Sequence, residues 1–565
     1  MKILKSLFSL QAVAFAAVFL IPAQTAFAQI PHREEITIIA PYEPTLPEVS
    51  KINLQPRIKS EESSIPAPQI EITPIKINVK HTTEAVQEAP PPLEQPDVIY
   101  RNHIRAGFGN YITPYIEFNA GSLRNANYLV NLQARHLASY GKIKDYGHST
   151  FSDNMARVSA MRFFNRFTLG AEARYDHNIL HHYGFLKADF PDTMFDTSKD
   201  DLRQRFNQVG VSITAKSNNR QPEGFHYDAR LAYGLMNDLF QTTEHRFEFG
   251  TDLRASFRVL RSNDKQILGV KLDVGTYNRT NSLTTWNNSL VQVQPYFKFK
   301  YQEYELKTGV VLAFDNDTSM NFRIFPAVEG RLQLVENRLA VFVGADGKIQ
   351  KNSFYSLAHE NPFIQSVLEY KNSAHKLRFY GGLQGSVGRR LDFTAGFSNT
   401  ILGSAALFVN DTLFALFNRF AVVYDDMNLL QGNVFASYSV SEQLRITTGF
   451  DIFHYTPDRE DKAWHKPAFR AFLEGWYNFS DKLAFRAAVN ANGKSWAKVF
   501  DTNTSLYEPK QLDQWADISF GGTYRYSDQL HFFVDARNIT AGRHYYWYNY
   551  PSQRLHVMAG AGFSF

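Results

Sequence analysis

The chain of 565 residues contains no cysteine. That excludes disulfides, thiolate metal sites and lipid attachment to an N-terminal cysteine. Beyond residue 28, no run approaches the ~18 consecutive apolar residues of a membrane-spanning helix, so helices do not hold the mature chain in a bilayer. Basic blocks are lacking too. Lysine and arginine are spread along the chain, the net charge is only +5, and nucleic-acid binding has no support. No nucleophile stands at readable spacing from a base, and nothing resembles a glycine-rich phosphate cradle. Neither an enzyme nor a cofactor is expected. What the chain has in quantity is aromatic: 15% of residues, with 47 Phe and 29 Tyr. Aromatic abundance in a chain with only 44% hydrophobic residues fits strands that alternate in polarity.

The N-terminus carries Lys2 and Lys5 ahead of the apolar run 12–21, then Ala26-Phe27-Ala28. This reads as an export signal over 1–28, cleaved before Gln29, because the run is too short to anchor in a bilayer. Residues 29–100 hold twelve of the 23 prolines. Proline at this density removes backbone donors and favours extended, solvated chain. Two pieces look strand-like, "EEITIIA" (34–40) and "QIEITPIKINVK" (69–80), the second interrupted by Pro74. The region reads as a tether whose short segments could add to the edge of another sheet.

From residue 101 onward, strand patterns follow one another almost without pause. Leu530, Phe532, Val534 and Ala536 oppose His531, Asp535 and Arg537; Leu444, Ile446, Phe450 and Ile452 oppose Arg445, Thr447 and Asp451. One face wants hydrocarbon and the other wants water. Ten short turns recur, at 124–127, 165–166, 217–223, 261–265, 300–303, 336–338, 388–390, 441–443, 480–482 and 527–529. Three of them read "SEQL", "SDKL" and "SDQL". Between them lie longer or more aromatic connections at 139–151, 179–201, 279–288, 350–373, 495–511 and 541–553. Alternating short and long connections mark an up-and-down membrane β-barrel with tight periplasmic turns and long external loops. Ten turns join strands 2/3 to 20/21, which gives about 22 strands over 101–565, with both ends on the periplasmic side; only 350–426 resists parsing. The all-β expectation is therefore a transmembrane antiparallel barrel preceded by a Pro-rich periplasmic arm. The final "LHVMAGAGFSF" (555–565) alternates strictly and is expected to close the barrel against 101–110. Its Gly560 and Gly562 mark lumen-facing positions.

The barrel ends resemble those of TonB-dependent receptors. The resemblance rests on Asn538-Ile539 at the end of the penultimate strand, the Tyr-rich loop Tyr545 to Tyr550, Pro551 with Arg554, and a last strand ending on Phe. "IRAGFGNYITPYIEFNAGS" (104–122) is similar to the first strand pair of that family, and Glu34 to Ala40 to its TonB box. The likeness implies that Glu35, Ile36, Thr37, Ile38, Ile39 and Ala40 engage TonB. It also implies that Phe563 and Phe565 present the chain to the outer-membrane insertion machinery. Outer-membrane lipid and TonB or another envelope protein follow as partners. The family's globular plug has no counterpart in 41–100.

Chemistry-bearing clusters are few. Asp176, His177, His181 and His182 could approach a metal, but neighbouring histidines in extended chain point to opposite faces. Asp315 with Asp317, and Asp425 with Asp426, read as solvated loop acids rather than calcium ligands. No metal site is therefore assigned. "HYYWYNY" (544–550) could stack on a sugar or an aromatic ligand, but is expected to belong to an aromatic girdle at the membrane interface. Two functions stand out: a receptor or nutrient-uptake barrel, and a structural or assembly subunit using 29–100 as a partner-binding arm. A passive pore is disfavoured because so wide an open lumen would leak.

Overall fold

The computed structural model describes residues 100–122, 125–190, 195, 197–218, 224–258, 266–317, 319–501 and 504–565. The export signal, the Pro-rich arm and the Glu35–Ala40 segment lie outside the described residues. The rest is a closed antiparallel barrel of 22 strands, each paired with its neighbour in sequence. Each of the ten expected short turns falls between two strands. The ring closes where Asn102–Gly109 pairs with His556–Ser564, from His103 opposite Ser564 to Gly109 opposite Met558. The backbones of Asn102 and Phe565 exchange two 2.9 Å hydrogen bonds, so both ends of the barrel lie at the short-turn rim. The closing strand expected from parity is thus in place.

The alternation of polarity becomes an outside and an inside. Val209, Val211 and Ile213 are exposed on the outer face, as are Phe532, Val534, Phe450 and Ile452 on other strands, at 38–53%. Inward-facing residues build a polar lumen wall of ion pairs, both across and along the strands. Arg105 meets Asp535 at 3.1 Å, Arg135 meets Asp153 at 3.0 Å, and Arg174 meets Asp176 at 2.7 Å. Such a wall is stable only because it faces water, while the outer band needs lipid.

At the closing seam, Gly107 stands opposite Gly560, and Gly560 also opposes Phe533. A Cβ on Gly560 would lie 2.1 Å from the Ala106 carbonyl oxygen and 2.6 Å from the Phe533 ring. The bare glycines let Phe533 lie against the inner wall, where it is 2% exposed and carries the Arg105 guanidinium 3.7 Å from its ring centre.

The unparsed stretch resolves into three strands, Ser373–Val387, Leu391–Asn410 and Phe420–Ser439, two of them 20 residues long. A register shift between Leu402 and Ala405, with Ser404 at φ 51°, reverses the parity within one of them. Periodicity therefore fails there although the strand continues. The expected connection 279–288 shrinks to 281–284, because the pairing runs on to Thr280 and Thr285.

Candidate functional site at the capped mouth

The long connections pack on each other across the mouth of the barrel. Residues 351–372 enter it with the helix Phe354–Glu360, which starts at a Ser353/Ser356 capping box. Glu244, at the top of the wall, accepts the Phe354 and Tyr355 amides at 2.6 and 3.3 Å, which satisfies two orphan donors of the helix. Arg246 lies 3.3 Å from the centre of the Tyr355 ring. The far end of this loop is held by Thr242 Oγ1, which donates to the Ser366 carbonyl at 3.2 Å, and by the Ser366 hydroxyl on Asp238.

Apolar residues from several loops and strand ends then form one core. Phe354, Leu357, Ile364, Phe408, Phe420 and Tyr550 are buried together, with Tyr183, Phe363 and Trp547 packed against them. Tyr550 stacks on Phe363 and meets the edge of Tyr183 at 4.8 Å, and its hydroxyl bonds the Asn418 carbonyl. Asn418 Nδ2 in turn donates to the His182 carbonyl at 2.5 Å. His182 follows the fifth strand and Asn418 precedes the sixteenth, so this bond spans half the ring of 22. The protein's own loops meet across the mouth.

Two kinds of chamber lie within and below this cap. One, of about 430 Å3, is lined by Tyr183, Phe363, His544, Tyr546, Trp547 and Tyr550, with Lys466 and Arg470 at its polar side. Lys466 is paired to Glu360 at 2.6 Å, whereas Arg470 is exposed and forms no ion pair among the described residues. His465 sits at its back, fully enclosed. Its Nδ1 donates to the Phe408 carbonyl at 3.0 Å and its Nε2 accepts the Tyr548 amide at 3.3 Å. Burial pulls its pKa down to about 4, so the ring is neutral in this arrangement. The other chamber, of about 410 Å3, runs under the helix between Arg174, Arg230, Arg246, Tyr277, Tyr355 and Lys351. Lys351 Nζ lies 3.2 Å from the centre of the Tyr277 ring, and burial lowers its pKa to about 7 against the pull of Glu244 and Glu248.

The aromatic run 544–550 does not form the expected girdle. His544 and Tyr550 are buried, Trp547 packs against the cap core, and Tyr545 bonds Tyr146 at 3.1 Å; Tyr546 alone of these is more than half exposed. The reason is tertiary: Phe363 from a distant loop, with Phe408 and Phe420 at distant strand ends, offers the apolar surroundings that a local reading assigns to lipid.

The histidine cluster comes apart. Asp176 faces Arg174 on the inner wall, His177 bonds Asn207 at 2.6 Å, and His181 bonds the Thr150 carbonyl at 2.6 Å. The paired acids act as loop clamps. Asp317 accepts the Asn372 amide at 2.9 Å, Asp315 faces Arg323 at 3.6 Å, Asp425 accepts the Arg459 and Glu460 amides, and Asp426 meets Lys376 at 2.6 Å. Phe563 and Phe565 stack at 5.8 Å, both exposed, on the outer side of the closing strand. Asn538 ties the base of the last loop through Nδ2 to the Gly542 and Gln553 carbonyls at 2.7 and 2.9 Å.

No protein-family model matches this sequence, and no curated protein is similar to it in sequence. Solved structures are similar in fold. The pyoverdine outer-membrane receptor FpvA from Pseudomonas aeruginosa PAO1 matches 84% of this chain over 79% of its own, at 13% identity and a TM-score of 0.63. The ferric-catecholate import receptor Fiu from E. coli K12 matches 84% over 82%, at 10% identity and a TM-score of 0.63. The siderophore receptor PirA from Acinetobacter baumannii matches 84% over 81%, at 8% identity and a TM-score of 0.62. The fold is that of the TonB-dependent outer-membrane receptor barrels.

Proposed function

Starting from a receptor-type outer-membrane barrel, we propose that this chain binds a ligand at its loop end for uptake across the outer membrane of a Gram-negative cell. The observation that carries the reading is the aromatic chamber among the loops, with Arg470 facing it unpaired. Stacked rings beside an exposed guanidinium that lacks a carboxylate partner suit a planar anionic ligand. A ferric chelate with aromatic donors, the kind of cargo for which Fiu is named, has that chemistry. Residues 1–28 would direct export and 29–100 would form the periplasmic arm. Glu35–Ala40 would couple the barrel to TonB, and Phe563 with Phe565 would serve the insertion machinery.

The test uses the purified full-length protein in detergent, titrated with ferric catecholates while Trp fluorescence is followed. Saturable quenching is expected, and Arg470→Ala is expected to raise Kd about tenfold. An absence of quenching with every chelate tried would sink the reading. In cells, deleting 34–40 should abolish uptake while leaving binding intact.

One observation favours the second reading, an assembly subunit. The mouth is tied by bonds spanning half the ring, which suits a barrel that stays shut. Recovery of a stoichiometric envelope partner in mild detergent, with no ligand binding, would decide for it.

A further inference from the structure

The inner wall treats its arginines in two ways. Many face a carboxylate, as in the pairs of Arg105, Arg135, Arg157, Arg174, Arg378 and Arg486, while Arg230, Arg279 and Arg470 stand singly with no ion pair among the described residues. Near the short-turn rim between residues 331 and 478 the unpaired ones gather. Two hollows of about 440 and 870 Å3 follow one another there, on either side of the turn 388–390. Their lining holds Arg331, Arg338, Arg389, Arg390 and Arg445 against two carboxylates, Glu442 and Asp392, and none of these five arginines forms an ion pair among the described residues. Arg331 meets only the neutral Gln384, at 2.9 Å.

The same wall leaves large rings half exposed. Glu474 bonds Arg486 across the lumen face, so Trp476, two residues on, faces inward as well; the Arg486 guanidinium lies 4.9 Å from its ring centre, and the ring is still 50% exposed. Phe472 shares that face at 37% exposure, and Phe435 contacts it at 43% exposure from two strands away, across Gly449 of the intervening strand. Half-exposed rings on a water-facing wall are unfavourable, and clustered like charges raise the cost further. Arginine and large aromatics together are also the composition that dominates the energetics of protein–protein interfaces.

We propose that this patch is a docking surface for an acidic, apolar-containing segment of a separate polypeptide that enters from the short-turn side. The carboxylates would answer the unpaired guanidiniums, and apolar side chains would cover Phe435, Phe472 and Trp476. The patch looks into the lumen rather than outward, which places it away from the surrounding lipid headgroups. A polypeptide reaches it through the mouth at that end.

The experiment measures binding of a fluorescent 15-residue peptide of alternating Asp/Glu and Leu to the full-length protein in nanodiscs, about four turns of chain if helical. Saturable, salt-sensitive binding is expected, at least about tenfold weaker in the Arg389→Ala/Arg390→Ala/Arg445→Ala variant. Trp476→Ala should weaken it with the charge unchanged, and heat-modifiable gel migration should confirm that both variants remain folded. Failure of the peptide to bind, binding indifferent to these substitutions, or equal binding of a Lys/Leu peptide would overturn the proposal. Competition by anionic vesicles alone would reassign the patch to lipid. A photo-crosslinker at position 389 that captures this chain itself in place of the peptide would likewise overturn it.

Discussion

At the residue scale, His465 is the most consequential group in the cap. Its Nε2 receives the Tyr548 amide and its Nδ1 donates to the Phe408 carbonyl, so both ring atoms are committed in the neutral form. Protonation would turn the accepting atom into a donor facing another donor. Burial puts the folded value at about 4, below that of an unfolded histidine. The stabilisation is therefore present in full above ~6.5 and is lost as the pH falls from there through about 4, an effect of ~3 kcal/mol. His182, fully enclosed and likewise held well below the ordinary imidazole range by burial, adds in the same direction. Hydrogen exchange in 458–468 and 538–555 should rise steeply between pH 6 and 4 while the strands stay protected. Flat exchange across that range would show that neither imidazole governs the cap. None of this was legible in the sequence, where His465 is one of 17 histidines. Its character comes from Phe408 and Trp547, far away along the chain.

At the element scale, the seam depends on side chains that are missing. Gly560→Val would push atoms into the Ala106 carbonyl and the Phe533 ring, and the two backbones would have to part. The expected cost is about 1–3 kcal/mol, read from urea unfolding in micelles, together with loss of heat-modifiable migration. A Gly560→Val barrel as stable as the parent would mean that the seam is looser than its register implies. The strands and short turns were readable beforehand because both are local: alternation fixes which face is wet, and "SEQL", "SDKL" and "SDQL" mark where a chain reverses. The stretch 350–426 was not, because the register shift at Leu402–Ala405 breaks the period and the helix Phe354–Glu360 sits within a loop. The aromatic run 544–550 was misplaced for a similar reason. A tyrosine reads alike whether lipid or Phe363 will cover it.

At the scale of the whole molecule, the cap decides whether the lumen conducts. Replacing 351–372 with a short Gly-Ser linker removes Phe354, Leu357 and Ile364 from the core and frees Tyr550 and Phe420. Single-channel conductance in planar bilayers is expected to rise severalfold over the parent, as an unobstructed barrel of this strand number encloses a wide lumen. Unchanged conductance would place the barrier elsewhere. The Asn418–His182 bond and the rings around Tyr550 also have a mechanical meaning. They act as spokes, joining points on opposite sides of the rim, so the loop end resists being squeezed from a circle into an ellipse. No such tie crosses the short-turn end among the described residues, and its cross-section is free to breathe. The barrel is therefore a tube of graded stiffness. A side pressure from the membrane, or a partner pulling at the open end, would deform one rim while the other keeps its shape.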